Sequence, residues 1–417
     1  MPHACGTARH TTAQGTTSAM IRPNARIRRL VASAVPTRVL RAVEARRRRR
    51  TATALERSGG VPVCDDVAAW AVANGRPVRR VLEASEGHRN LPHTIEPEVL
   101  PVFRQRLEAR HGARDLVELD GARLIGRTGL VFLPDGRLVS ASVFGNAVLE
   151  AEPEFSRVAR RRRVTKPGRY FSLLVLYARE GIYYHWVHDT LELLAGVLDV
   201  LPPDTRFIVP ATLRPYQHET LRVLGIDDRL EPFSGDEVWD LETLFFAPPA
   251  VHSGSNRTDV DVWLRDRFFD AYSVVPVSSG RRIYLTRREQ ARRRVRNEAA
   301  VEETMRRYGF ETVAPESLPL AEQVALFAEC EAVVSTHGSA LTNILFAPTG
   351  LKVLDIVEPG MSDLAYIFWS LSESLGHEYW YFLTESVEQV HERANEPVVD
   401  IEKLTASLDS MGLGPPA

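Results

Sequence analysis

The sequence predicts an α/β protein. Strand-sized apolar runs alternate with amphipathic helical segments through the second half of the chain, the alternation is most regular between Arg281 and Glu358, and a β-rich portion precedes it. At 417 residues the chain is long enough for about two domains plus tails. A hydrophobic fraction of 44% and a charged fraction of 25% are those of a globular chain, not of a membrane-embedded or disordered one.

Charge divides the chain unevenly. Residues 1–60 carry thirteen arginines against Glu44 and Glu56, a local +11, so with −2 overall the remainder carries −13. Ile27, Leu30, Val31, Val35, Val39 and Val43 recur near helical spacing in this tail, which suits a basic segment in peripheral contact with an anionic membrane surface. Pro36 interrupts that pattern, which favours a solvated, disordered tail or a true start at Met20. No aromatic residues interleave the arginines and the body is acidic, so nucleic acid is not an expected partner. Cys5, Cys64 and Cys330 make neither a CxxC pair nor an even set, so no disulfide framework or zinc motif is encoded. With no apolar run of about 18 residues and no secretory signal, a cytoplasmic location is expected, at most at the inner face of the membrane.

The elements follow in order. Gly129 to Leu133, the turn Pro134-Asp135-Gly136 and Leu138 to Ala141 read as a hairpin. Arg160 to Arg163 with Lys166 reads as a solvated connection before a strand from Tyr170 to Tyr177. A helix from Tyr183 to Val200, a strand at Phe207-Ile208-Val209, a helix from Tyr216 to Leu224, a strand at Leu244 to Ala247 and a helix from Val260 to Tyr272 complete a domain over 61–275. After the loop Val275 to Gly280, strands at Arg282 to Thr286, Phe310 to Val313, Ala332 to Ser335 and Lys352 to Val357 alternate with helices at Glu298 to Tyr308, Leu320 to Cys330 (capped by Ser317) and Gly338 to Phe346. That pattern is a Rossmann-like domain over 276–375, with 376–417 as an extension.

Ligands of open parallel sheets bind beyond the carboxyl ends of the strands. There the sequence has Thr286-Arg287-Arg288, Pro315-Glu316, Thr336-His337-Gly338-Ser339 and Glu358, a set suited to a nucleoside diphosphate. Arginines give permanently charged bidentate contacts, a helix start offers unpaired amides, and a carboxylate accepts from ribose hydroxyls. Neither GxGxxG nor GxxxxGK[ST] occurs, which counts against dehydrogenase and NTPase readings. In the first half, Val187, Leu191, Leu194 and Leu198 form an apolar stripe on the helical wheel, with His185, Asp189 and Glu192 opposite and facing outward. A His-Asp pair can serve as general base, although a surface i, i+4 pair is the simpler reading of these residues alone. Asp259-Val260-Asp261 matches a DxD metal pattern, but acidic residues opening a helix are expected on dipole grounds.

Taken together these motifs resemble glycosyltransferase family 61, which includes bacterial capsular polysaccharide biosynthesis proteins. The resemblance rests on Tyr183-Tyr184-His185-Trp186 with Asp189, on Thr286-Arg287-Arg288 followed by Arg292 to Arg294 and Asn297-Glu298, and on His337-Gly338-Ser339-Ala340-Leu341-Thr342-Asn343 with Phe346-Ala347-Pro348. Ile182, Thr286 and Ser339-Ala340 depart from the family pattern without removing a charged type. The resemblance implies a GT-B-like architecture, two Rossmann-like domains facing a cleft, and inverting transfer from a UDP-sugar to a glycan acceptor, with no metal cofactor. It assigns Thr286, Arg287, Arg288, His337, Gly338, Ser339, Asn343 and Glu358 to the nucleotide-sugar and Asp189 or His185 to the base. Two alternatives stay open: a non-catalytic scaffold in polysaccharide assembly, and another nucleotide-sugar-modifying enzyme on the same type of sheet.

Overall fold

The structure is a computed structural model that describes residues 62–143, 161–175, 181–277, 279–290, 293–385 and 396–416. The expectations for the tail 1–60, and for Arg160, Tyr177 and Arg292, lie outside the described residues.

The N-terminal strands are short: β1 (Val63–Cys64), β2 (Val78–Leu82), β4 (His93–Thr94), β6 (Arg114–Asp120), β7 (Arg123–Ile125), β8 (Leu130–Phe132) and β9 (Leu138–Val139). Between them, β3 (Ser85–His88) and β5 (Glu108–His111) form a separate antiparallel pair. The expected hairpin is present, with β8 antiparallel to β9 across Pro134-Asp135-Gly136. Four longer strands follow, β10 (Arg163–Ser172), β11 (Arg206–Pro210), β12 (Leu230–Phe233) and β13 (Val238–Phe246). They pair in parallel in the order β13-β10-β11-β12, while β6 and β7 join β13 antiparallel and β1 pairs with β9 in parallel at the far end, so the first sheet of ten strands is mixed. The basic run expected as a connection opens β10 instead. Arg163 meets Asp240 at 2.7 Å and Lys166 meets Glu231 at 2.6 Å, so carboxylates on neighbouring strands offset the charges that suggested a solvated loop.

The second sheet consists of β14 (Arg281–Leu285), β15 (Glu311–Val313), β16 (Cys330–Thr336), β17 (Lys352–Val357) and β18 (Glu378–Leu383) with β4 at its edge. All pairings are parallel and the order is β15-β14-β16-β17-β18-β4. Strands such as Ile283-Tyr284-Leu285 and Val333-Val334 are buried on both faces, which is why they read as continuous apolar runs. The strand order reverses between β14 and β16, and that switch point is where a doubly wound sheet opens a crevice. Residues beyond 375 add β18 to the same sheet.

Helices α1 (Val67–Ala73), α2 (Pro101–Arg104), α3 (Pro215–Val223) and α4 (Thr258–Tyr272) belong to the first part of the chain. The second sheet is flanked by α5 (Glu298–Arg307), α6 (Leu320–Ala328), α7 (Tyr366–Leu375) and α8 (Ile401–Ser410). In α5 the buried Val301 and Met305 recur at i, i+4, Glu298 opens the helix, and Arg306 and Arg307 close it, in keeping with the dipole. Ser317 does not cap α6. Its hydroxyl donates back to the Ala314 carbonyl at 2.7 Å, and Pro319 starts the helix without a side-chain cap.

Two expected helices are not regular α-helices. From His185 the chain makes a π-helical turn to Thr190, a 3-10 turn over Leu191–Leu194 and, after a break, another over Leu198–Val200. The break falls at Gly196, whose φ of 70° is left-handed and whose missing Cβ leaves room for the Val81 carbonyl. Ser339–Phe346 is likewise a 3-10 helix, hemmed in by Pro348. The largest apolar cluster runs from Phe171 and Phe207 through Trp186, Leu191 and Phe268 to Ile283, Val333 and Val353, so the two sheets share an interior, while separate clusters cover their other faces. Among the described residues no helix is long and apolar enough to cross a membrane.

Candidate active site

The register of the second sheet sets Leu285 beside Ser335 and Ser335 beside Asp355. Two residues further on, Arg287 and His337 therefore leave β14 and β16 at one level, and Glu358 leaves β17 next to them. The Arg287 guanidinium lies against the backbone of Gly338, where any Cβ would collide with it. Gly338 is in ordinary extended conformation (φ 174°), so its glycine serves the close approach of the Arg287 guanidinium, which a Cβ would displace, and not dihedral freedom. Arg287 Nε donates to the Arg293 carbonyl at 3.2 Å, and Arg293 Nη1 donates to the His337 carbonyl at 2.8 Å. Arg293 itself has φ 55°, a left-handed conformation uncommon outside glycine.

Burial, and then the neighbouring Arg293, lowers the Arg287 guanidinium to about 10. Burial raises the Glu358 carboxyl against the opposing pull of Arg293, Arg287 and His337. Two guanidinium groups thus crowd one carboxyl in a partly dry setting, where an arriving polyanion relieves their mutual repulsion.

His337 is held from behind. Its Nδ1 lies 2.7 Å from Asp355 Oδ2, and Tyr379 Oη donates to the same oxygen at 2.8 Å. That contact fixes the ring and leaves Nε2 as the nitrogen for other chemistry.

The remaining donor-side candidates are placed differently. Thr286 is buried, with its hydroxyl on Glu298, and it accepts from the Arg288 amide at 3.2 Å, so it shapes the turn. Arg288 turns outward to an ion pair with Glu302 and does not join Arg287. Asn343 is buried, accepting from Tyr183 Oη at 2.7 Å and donating to Gln323 Oε1 at 2.7 Å, which ties the 3-10 helix to the first half of the chain. Ser339 is half-buried beside Gly338.

In the first half, His185 Nδ1 lies 2.6 Å from Asp189 Oδ2, to which Ser253 Oγ also donates at 3.0 Å. Asp189 is buried and His185 partly exposed, so the imidazole is the end of the pair nearer solvent. Glu192 departs from the helical wheel. It is buried and paired with His188 at 2.7 Å, because the switch from π to 3-10 turning breaks the 100° spacing. The two acids of Asp259-Val260-Asp261 also diverge: Asp259 takes a bidentate pair from Arg257 at 2.6 and 2.8 Å, while Asp261 is buried against His188 and Asn256. Phe368 bridges the two groups, its ring 5.0 Å from His337 and 5.7 Å from Tyr184. A cavity of about 620 Å³ bordered by Pro92, His93, Glu96 and Arg104 lies at the β4 edge and shares no residue with either group.

Sequence reasoning missed Asp355, Ser253 and Tyr379. For Asp355 a signal existed, a lone acid inside the apolar run of β17; Ser253 and Tyr379 carry none.

No curated protein matches this chain. Residues 183–354, less than half of the 417-residue chain, match the family model described as Glycosyltransferase 61. That span opens at Tyr183 beside the His185-Asp189 pair and contains Arg287, Arg293 and His337, so the chain carries a glycosyltransferase-family domain, which supports a transferase.

Proposed function

We propose that the protein is an inverting glycosyltransferase that moves a sugar from a UDP-sugar to a hydroxyl of a glycan acceptor, in capsular or extracellular polysaccharide synthesis. The observation that carries this reading is the convergence of Arg287, Arg293 and Glu358 on the His337-Gly338 loop at the switch point of the second sheet. In the reaction the acceptor hydroxyl loses its proton to the His185-Asp189 pair and its oxygen forms a bond to the anomeric carbon. The carbon–oxygen bond to the diphosphate breaks on the opposite face, and the leaving diphosphate takes that electron pair. Arg287, Arg293 and the amides of the loop bear the developing charge in place of a metal, and Glu358 accepts from ribose hydroxyls.

A panel of nucleotide-sugars assayed by nucleoside diphosphate release tests the proposal. Acceptor-dependent release of UDP from one donor is expected. Release from none of them, with every acceptor offered, would favour a scaffold.

A further inference from the structure

Behind the His185-Asp189 pair lies a second polar group with no part in the chemistry above. His188 and Glu192 come from the irregular helix, Asp261 from α4 and Asn256 from the segment before it, and all four are buried. We propose that these four side chains form a binding site for a divalent transition-metal ion, separate from the donor site and independent of the transferase reading.

Ligand atoms of His188, Glu192 and Asp261 all lie within 4.8 Å of one another, with the Asn256 side chain beside them. His188 Nδ1 lies 2.7 Å from Glu192 Oε1, 3.5 Å from Asp261 Oδ1 and 3.3 Å from the Asn256 amide, which is 3.1 Å from Asp261 Oδ1. Nitrogen and oxygen ligands at about 2.0–2.2 Å from a tetrahedral ion stand about 3.3 Å apart, close to three of these spacings; the 2.7 Å His188–Glu192 contact is that of a hydrogen bond and opens slightly when an ion replaces the shared proton.

Asn256 adds an independent observation. Its Nδ2 faces the cluster, while its Oδ1 is buried without a hydrogen-bond partner among the described residues. The two amide ends are interchangeable by a flip, and turning Oδ1 inward completes a set of one imidazole nitrogen and three oxygens. Glu192 Oε2 is a second buried oxygen without a partner there. Outer contacts hold Asp261 and the Asn256 main chain: Ser374 Oγ donates to Asp261 Oδ2 at 2.5 Å, and the Asn256 backbone N–H donates to Ser370 Oγ at 2.9 Å.

Glu192 and Asp261 are both buried beside one imidazole. Two buried carboxylates require positive charge, which a divalent ion supplies in full with His188 neutral.

Elemental analysis of the full chain, purified without chelator, is the test. About one equivalent of zinc or manganese per chain is expected to survive gel filtration, or Zn²⁺ or Mn²⁺ to raise the Tm of chelator-stripped protein. Glu192→Gln keeps the shape and should lower bound metal by about tenfold or more. Asp261→Asn should do the same; should both variants fail to fold, the Tm response of stripped wild type decides. Metal content below ~0.1 equivalent with no Tm response to either ion would overturn the site in favour of protons. So would a content left unchanged by both variants, as from ions held elsewhere. None of these readouts depends on sugar transfer.

Discussion

The edge of the second sheet and the irregular helix of the first half carry opposite surpluses of charge. At the sheet edge Arg287 and Arg293 crowd one another and Arg287 is pushed down. At the helix, Asp189 and Glu192, joined by Asp261 of α4, gather around two histidines, and His188 and Glu192 are pushed up. Parallel strands build the first region, presenting side chains from loops at one level. A π turn and the 3-10 turn after it build the second, setting His185 over Asp189 and His188 over Glu192. The lesson is a division of charge: one region gathers guanidinium groups, the other carboxylates and histidines, and the Tyr183-Asn343 hydrogen bond and Phe368 join them.

Breaking one side should leave the other intact, and the largest effect belongs to the proton side. Asp189→Asn is expected to lower turnover by about 10²–10⁴-fold while UDP affinity, measured by calorimetry, stays within about twofold. Full activity in that variant would move the base elsewhere. Arg287→Ala should weaken UDP binding by about 10–100-fold, the worth of a charge-assisted contact, and unchanged affinity would remove Arg287 from the donor site. Gly338→Ala should cost about tenfold in the same titration, because its Cβ displaces the Arg287 guanidinium. Smallest of all, Arg288→Ala should change UDP affinity by less than about twofold, since an exposed ion pair with Glu302 contributes little; a loss as large as that of Arg287→Ala would put Arg288 back in the site.

The same comparison explains what could be read from sequence. The sheet edge was legible because β/α alternation is regular there, and the residues just beyond its strands, Arg287, His337 and Glu358, lie near one another. Arg288 was not separable from Arg287, because nothing local tells which of two adjacent arginines turns back to Glu302. Asp355 was hidden by lying within an apolar strand, where its role depends on the facing His337. In the first half the i, i+4 rule gave the His185-Asp189 pair, but the wheel failed at Glu192, where the turning changes. Arg163 and Lys166 misled because their partners, Asp240 and Glu231, are distant in sequence.

The central claim is that the switch point of the second sheet binds the diphosphate of a UDP-sugar. Calorimetric titration of UDP, beside NAD, into the wild-type chain tests it most directly. UDP should bind with a dissociation constant of about 1 μM to 1 mM and NAD should not bind. Binding of NAD together with no binding of UDP or any other nucleoside diphosphate would contradict it.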